Sequence, residues 1–169
     1  VCSSDLAVVL LRYALQYNGR TGEALLDWQH DGTAYRLVLD GRSSAGQLLV
    51  AQDSSGSFDD HGLAPERFTD RRAGGRLRAA HFRRDIGRIA YSGPPHTHPA
   101  WPGAQDRLSA VAQLAAILAA AEGPGVAPLP PGLRLFVADA TGNAGQWQLL
   151  RQPDATGPSP WGEVPQQHW

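Results

Sequence analysis

Hydrophobic and polar residues alternate over the first forty positions. Tyr13, Leu15 and Tyr17 are interleaved with Arg12, Ala14 and Gln16; Ala24, Leu26 and Trp28 with Glu23, Asp27 and Gln29; Tyr35, Leu37 and Leu39 with Arg36 and Asp40. A period of two marks strands that bury one face. Asn18-Gly19-Arg20 and Asp31-Gly32 stand between these runs and are tight-turn signals. Sequential strands with such short joints pair as a meander. The pattern continues at 47–52, passes a bulge or kink at Gly56 into 54–60, and resumes at 66–72, 77–84 and 87–92. Gly74-Gly75 and residues 85–87 supply further turns. That makes roughly seven strands at the spacing of an antiparallel sheet.

The period then changes. A proline-rich crossing, PPHTHPAWPGA, leads into a single strong helix predicted over 106–122. Asp106 is placed as its N-cap and Gly123 as its C-terminal stop. Leu108, Val111, Ala115 and Leu118 form one stripe, with Leu114 and Ile117 beside it, and no charge falls between Leu108 and Ala121. Such a helix is expected to be buried against the sheet, and it is too short to cross a bilayer. Strands are predicted again at 132–139 and 145–152, and 161–169 reads as the start of another. The expected fold is mainly β, of the α+β kind: a strongly curved antiparallel sheet or half-open barrel with one buried apolar helix.

Composition narrows this reading. The 169 residues suit one domain, and 42% hydrophobic against 18% charged residues marks a globular chain. The net charge of −1 creates no field that would draw in nucleic acid, so no nucleic-acid partner is expected. No run is long enough for a transmembrane segment. Lys and Met are absent and all basic residues are Arg, as expected of a GC-rich bacterial genome. The opening VCSSDL translates GTG-TGC-TCT-TCC-GAT-CT, the tail of a common sequencing adapter. Residues 1–6 are therefore expected to be a non-native leader and 7–169 a single, incomplete β-rich domain. Cys2 is the only cysteine and has no disulfide partner.

Several stretches together carry a resemblance: YALQYNGRTGEALLDW, GLAPERFTDRR, AAHFRRDIGRIAYS and PGAQDRLSAVAQLAAIL. They resemble a bacterial family, the domain of unknown function numbered 3108, over roughly residues 10–163. The resemblance implies an exported, periplasmic or envelope-associated protein with a curved antiparallel sheet and one inserted helix. It implies no catalytic residue. It also implies a chain truncated at both ends.

The candidate chemistry is sparse. His96 and His98 could both ligate a metal from an extended loop, but a zinc site needs a third protein ligand and no Cys or H-E-x-x-H accompanies them. Gln105, Asp106 and Ser109 mark the start of the helix, with Asp106 capping amides and Gln105 or Ser109 satisfying a neighbouring strand. Eight Arg between residues 67 and 88 suggest a basic patch; Arg76 and Arg78 alternate with Leu77 as on an exposed sheet face, so a solvated face is the favoured account. Asp53, Asp59, Asp60 and His61 lack calcium-loop spacing, and no serine lies in a nucleophile elbow. No cofactor is expected.

The leading functional expectation is a non-catalytic exported protein with an apolar cleft between sheet and helix. Tyr13, Tyr17 and Trp28 would line it from the sheet, and Leu114 and Leu118 from the helix. The bound partner would be an apolar small molecule or an envelope protein. The alternatives are a structural or protein-interaction module that docks through sheet edges or the Arg face, and a metal-dependent enzyme built on His96 and His98.

Overall fold

The computed structural model describes residues 8–121, 128–159, 162–166 and 169. The chain is mainly β. Eight strands, β1 (Val9–Tyr17), β2 (Arg20–His30), β3 (Ala34–Ser43), β4 (Leu48–Asp59), β5 (Gly62–Arg72), β6 (Arg78–Arg83), β7 (Arg88–Tyr91) and β8 (His98–Pro99), pair in sequence order. Each neighbouring pair is antiparallel. The strands β1 and β8 are the two ends of this sheet, which is open. A second sheet has the order β11 (Ala144–Leu150), β10 (Gly132–Ala138), β9 (Gln105–Asp106), with β9 parallel to β10. The helix α1 (Ser109–Ala121) follows β9 directly, and β12 (Ala155–Ser159) forms a separate hairpin with β13 (Gly162–Gln166).

The turn chemistry explains the meander. Tyr17 faces Arg20 across a two-residue loop in which Asn18 and Gly19 both have positive φ, 48° and 75°. That is the mirror-image turn whose twist suits a hairpin. Asp31 builds the next joint by accepting bonds from the Thr33 amide and hydroxyl and from the Ala34 amide. The predicted irregularity at Gly56 is a register shift between Ser55 and Gly56. It lets β4 run unbroken as twelve residues.

The alternation seen in the sequence becomes one continuous face. Val9, Trp28, Leu37, Ser54, Phe68, Ala80 and Tyr91 occupy one rung across seven strands. Leu11, Leu26, Leu39, Gln52 and Asp70 occupy another on the same face. Trp28, Leu37, Phe68, Phe82 and Ile89 are buried from this face, in one cluster with Ala104, Leu108 and Ala138. Fully burying side chains of this size contributes about 1.5–3 kcal/mol each. The opposite face carries ion pairs, among them Arg12–Glu23 and Arg36–Asp53.

The helix departs from its expected orientation. Its buried positions are Ser109, Ala110, Gln113 and Ala116. The predicted stripe is therefore corrected: Leu108 is buried, but Val111 is 58% exposed and Ala115 is also exposed. Leu114, Ile117 and Leu118 are half-buried. Close approach to β5 is the reason. Side chains of Ala size bring the helix near the strand, and a Cβ on Gly62 would collide with the Gln113 side-chain amide. Larger apolar residues on that face would hold the helix off. Arg76 and Leu77, expected in a strand, lie in the loop before β6. The expected leader 1–6 and helix stop at Gly123 lie outside the described residues, as do 161, 167 and 168, while the strand expected within 161–169 is β13.

Candidate functional site

The helix start forms a buried polar knot. Asp106 and Ser109 are fully buried. One carboxyl oxygen of Asp106 accepts from the Leu108 and Ser109 amides, each at 2.8 Å. The helix begins at Ser109 rather than at the expected 106, but Asp106 still caps amides of its first turn, from a short strand that is paired with β10. The other carboxyl oxygen is 2.6 Å from Ser54 Oγ, which is 3.0 Å from the Tyr35 hydroxyl. Burial pushes the Asp106 carboxyl above the usual aspartate range, and the bonds from Ser54, Ser109 and Leu108 oppose this without cancelling it. Burial also drives the Tyr35 hydroxyl well above its ordinary value, with Asp106 adding to the effect.

Gln105 and Gln113 act on the same stretch of β5. Residues 67–70 of β5 pair with β6, whereas the earlier part has β4 alone as its strand neighbour. There the glutamines replace a strand. Gln113 Oε1 accepts from the Leu63 amide at 2.7 Å, and Gln105 Nε2 donates to the Leu63 carbonyl at 2.6 Å. Gln113 Nε2 also donates to the His61 carbonyl at 3.1 Å. Buried backbone groups need such partners.

Beside this knot an apolar cleft of about 290 Å³ opens between α1 and β1–β3. Its sheet wall is Val9, Leu11, Tyr13, Leu26, Trp28 and Leu37. Leu108, Val111, Ala112 and Ala115 form the helix wall. Among the described residues, no charged one lines it. Of the five residues expected at a ligand site, Tyr13 and Trp28 are here. Tyr17 lies instead at a separate surface depression with Asn18, Arg20 and Gly74, at the far end of β1. Leu114 and Leu118 are not on the cleft wall, because the rotation of α1 that seats Gln113 on β5 directs Val111 and Ala115 to it. Leu108, Val111 and Ala115 do share one stripe, but it lines the cleft, and of the three only Leu108 also belongs to the core.

The remaining candidates resolve locally. His96 Nε2 bonds the Gly142 carbonyl at 2.8 Å, and His98 Nδ1 the Tyr91 hydroxyl at 2.9 Å. The rings lie edge to face, 5.3 Å apart. Among the described residues no group of three His, Cys, Asp or Glu could hold a metal ion. Burial, aided by Asp139, raises the Tyr91 hydroxyl to about 12. Asp53 pairs with Arg36, and Asp59 accepts from the His61 amide, so neither stands in a cation loop. Within the Arg-rich segment, Arg72 pairs with Asp70 and Arg83 with Asp85, while Arg84 donates to the Pro65 and Ala104 carbonyls.

Ser54 and Gln113 were missed by sequence reasoning. An isolated serine in a strand and a glutamine in an apolar helix carry no local signal. For Gln113, the one clue was its place as the sole polar residue between Ala110 and Ala121. Comparison of the chain with protein-family profiles, with curated proteins and with solved structures finds no match.

Proposed function

We propose that this protein is a non-catalytic, envelope-associated binding protein that takes an apolar ligand in the cleft between α1 and β1–β3. One observation carries the reading: a cleft of about 290 Å³ with an uncharged, apolar wall, left open in the folded chain. The volume is near the lower end of the range for ligand pockets. Water in such a cleft is poorly satisfied, and its displacement by apolar groups is favourable. The export assignment rests on the family resemblance. No helix among the described residues is long and apolar enough to cross a membrane. The same reading has the open sheet wrapping toward α1 as a half-open barrel. Its support is the burial of Trp28, Phe68, Phe82 and Ile89, from four different strands, in one cluster with Leu108.

Titration of the purified chain with 1-dodecanol, followed by calorimetry, tests the reading. Saturable uptake is expected, and Val111→Glu should weaken it at least tenfold. Val111 is largely exposed, so this variant should keep its fold. Absence of saturable uptake, or equal uptake by a folded Val111→Glu, would overturn it. A reading as a protein-interaction module is favoured by a different feature, the edge strand β1.

A further inference from the structure

We propose that the occupant of the cleft is an extended polypeptide strand, apolar at alternate positions and uncharged, which adds to the free edge of β1. This rests on the binding reading above and specifies its partner class. Three observations lead to it. First, β1 is nine residues long and, among the described residues, pairs only with β2. Roughly half of its residues therefore direct their N–H and C=O groups outward, with no strand to meet them. Lipid and other purely apolar ligands cannot use those groups; a peptide backbone can.

Second, β1 lacks the devices that normally block an edge. It contains no proline, no bulge in its pairing with β2 and one charge, Arg12. At the opposite end of the sheet β8 is only two residues long and ends in Pro99. Third, the free edge and the cleft adjoin. Val9, Leu11 and Tyr13 belong to β1 and also form the near wall of the cleft. A strand laid against β1 places every second side chain on that same face, over the cleft and toward Val111.

Area selects the partner. The exposed apolar side chains on the cleft face are Leu11 at 41%, Tyr13 at 46% and Val111 at 58%. At roughly 100 Å² each they present about 300 Å². A standard protein–protein interface buries about 800 Å² per partner, of which roughly 450 Å² is apolar. A second copy docking rigidly through β1 falls short of that figure. A single strand that gains backbone bonds and inserts side chains needs no such area.

The test uses the whole chain and a short capped peptide in which Thr alternates with Val and Leu. Two further peptides carry N-methyl groups at every second residue, one in each phase, so that one of them cannot hydrogen-bond to the edge. The parent peptide should bind and slow amide hydrogen exchange in β1. One N-methylated phase should bind at least tenfold more weakly, and Val111→Glu should weaken the parent. Equal binding by the parent and both N-methylated peptides would overturn strand addition while leaving apolar binding intact. Failure of all peptides with retention of 1-dodecanol would do the same. Failure of both probe classes would remove both readings. A concentration-dependent dimer with β1 amides already protected would name a second copy as the occupant and overturn the partner proposed here.

Discussion

Replacement of Asp106 by Asn should leave the protein about as stable as the parent near pH 4 and make it more stable at pH 8. The reasoning starts from burial. Asp106 is inaccessible to solvent, and no cation is bonded to its carboxyl. Burial raises its pKa in the folded state, so folding favours the protonated acid. The acid fits the observed geometry. Its O–H can donate across the 2.6 Å contact to Ser54 Oγ, and Ser54 can donate onward to Tyr35. The other carboxyl oxygen still accepts from Leu108 and Ser109. Asn reproduces this pattern, with its amide N–H in place of the acid O–H.

The sign follows from proton binding. Between the ordinary aspartate value and the raised one, the folded state holds more protons than the unfolded state. The stabilisation is complete below the unfolded value and is lost as pH rises through the folded one. Asn does not titrate and escapes this loss. An ion kept in the interior costs up to several kcal/mol, and three hydrogen bonds return part of that, so an advantage of about 1 kcal/mol or more is expected at pH 8. Asp106→Ala should differ in kind. It leaves the Leu108 and Ser109 amides without their acceptor, at about 1–3 kcal/mol each, and should be destabilised at both pH values. Urea unfolding of the three proteins at matched pH measures this, and the difference between variants cancels every other titrating group. If the parent gains stability over Asp106→Asn as pH rises, the native group is the carboxylate and the burial argument is wrong.

Two further predictions concern other parts of the fold. Gln113→Leu keeps the volume but removes the bonds to the Leu63 amide and the His61 carbonyl; a loss of about 2 kcal/mol is expected, with faster hydrogen exchange at the Leu63 amide, and an unchanged unfolding midpoint would refute the glutamine clamp. Asp31, held by the Ala34 amide and by Thr33, should titrate at about 2 in an NMR pH series. Any contribution of that turn to stability is then present above the ordinary aspartate value and lost as pH falls through about 2; a midpoint near 3.8 would show that the turn bonds do not persist in solution.

What could be read from the sequence was whatever depends on neighbours along the chain. The period of two placed Tyr13, Trp28 and Leu37 on one face, because alternate side chains of a strand share a side whatever packs against them. Asn18-Gly19 determined a hairpin because both residues tolerate positive φ. Asp106 was recognisable as a cap because capping acts over two or three residues. The orientation of α1 was a different kind of question. Leu108, Val111 and Ala115 form an apolar stripe in any helix with this sequence, and hydrophobicity alone assigns that stripe to the core. Only the tertiary structure shows that β5 lacks a second strand beside Leu63. The backbone groups stranded there need polar partners, and Gln113 supplies one by seating the small-residue face of the helix on the strand. That rotation leaves Val111 and Ala115 facing β1–β3 across open space. The cleft is thus set by an amide that has a glutamine in place of a strand partner, far away in sequence, a requirement invisible to any local pattern.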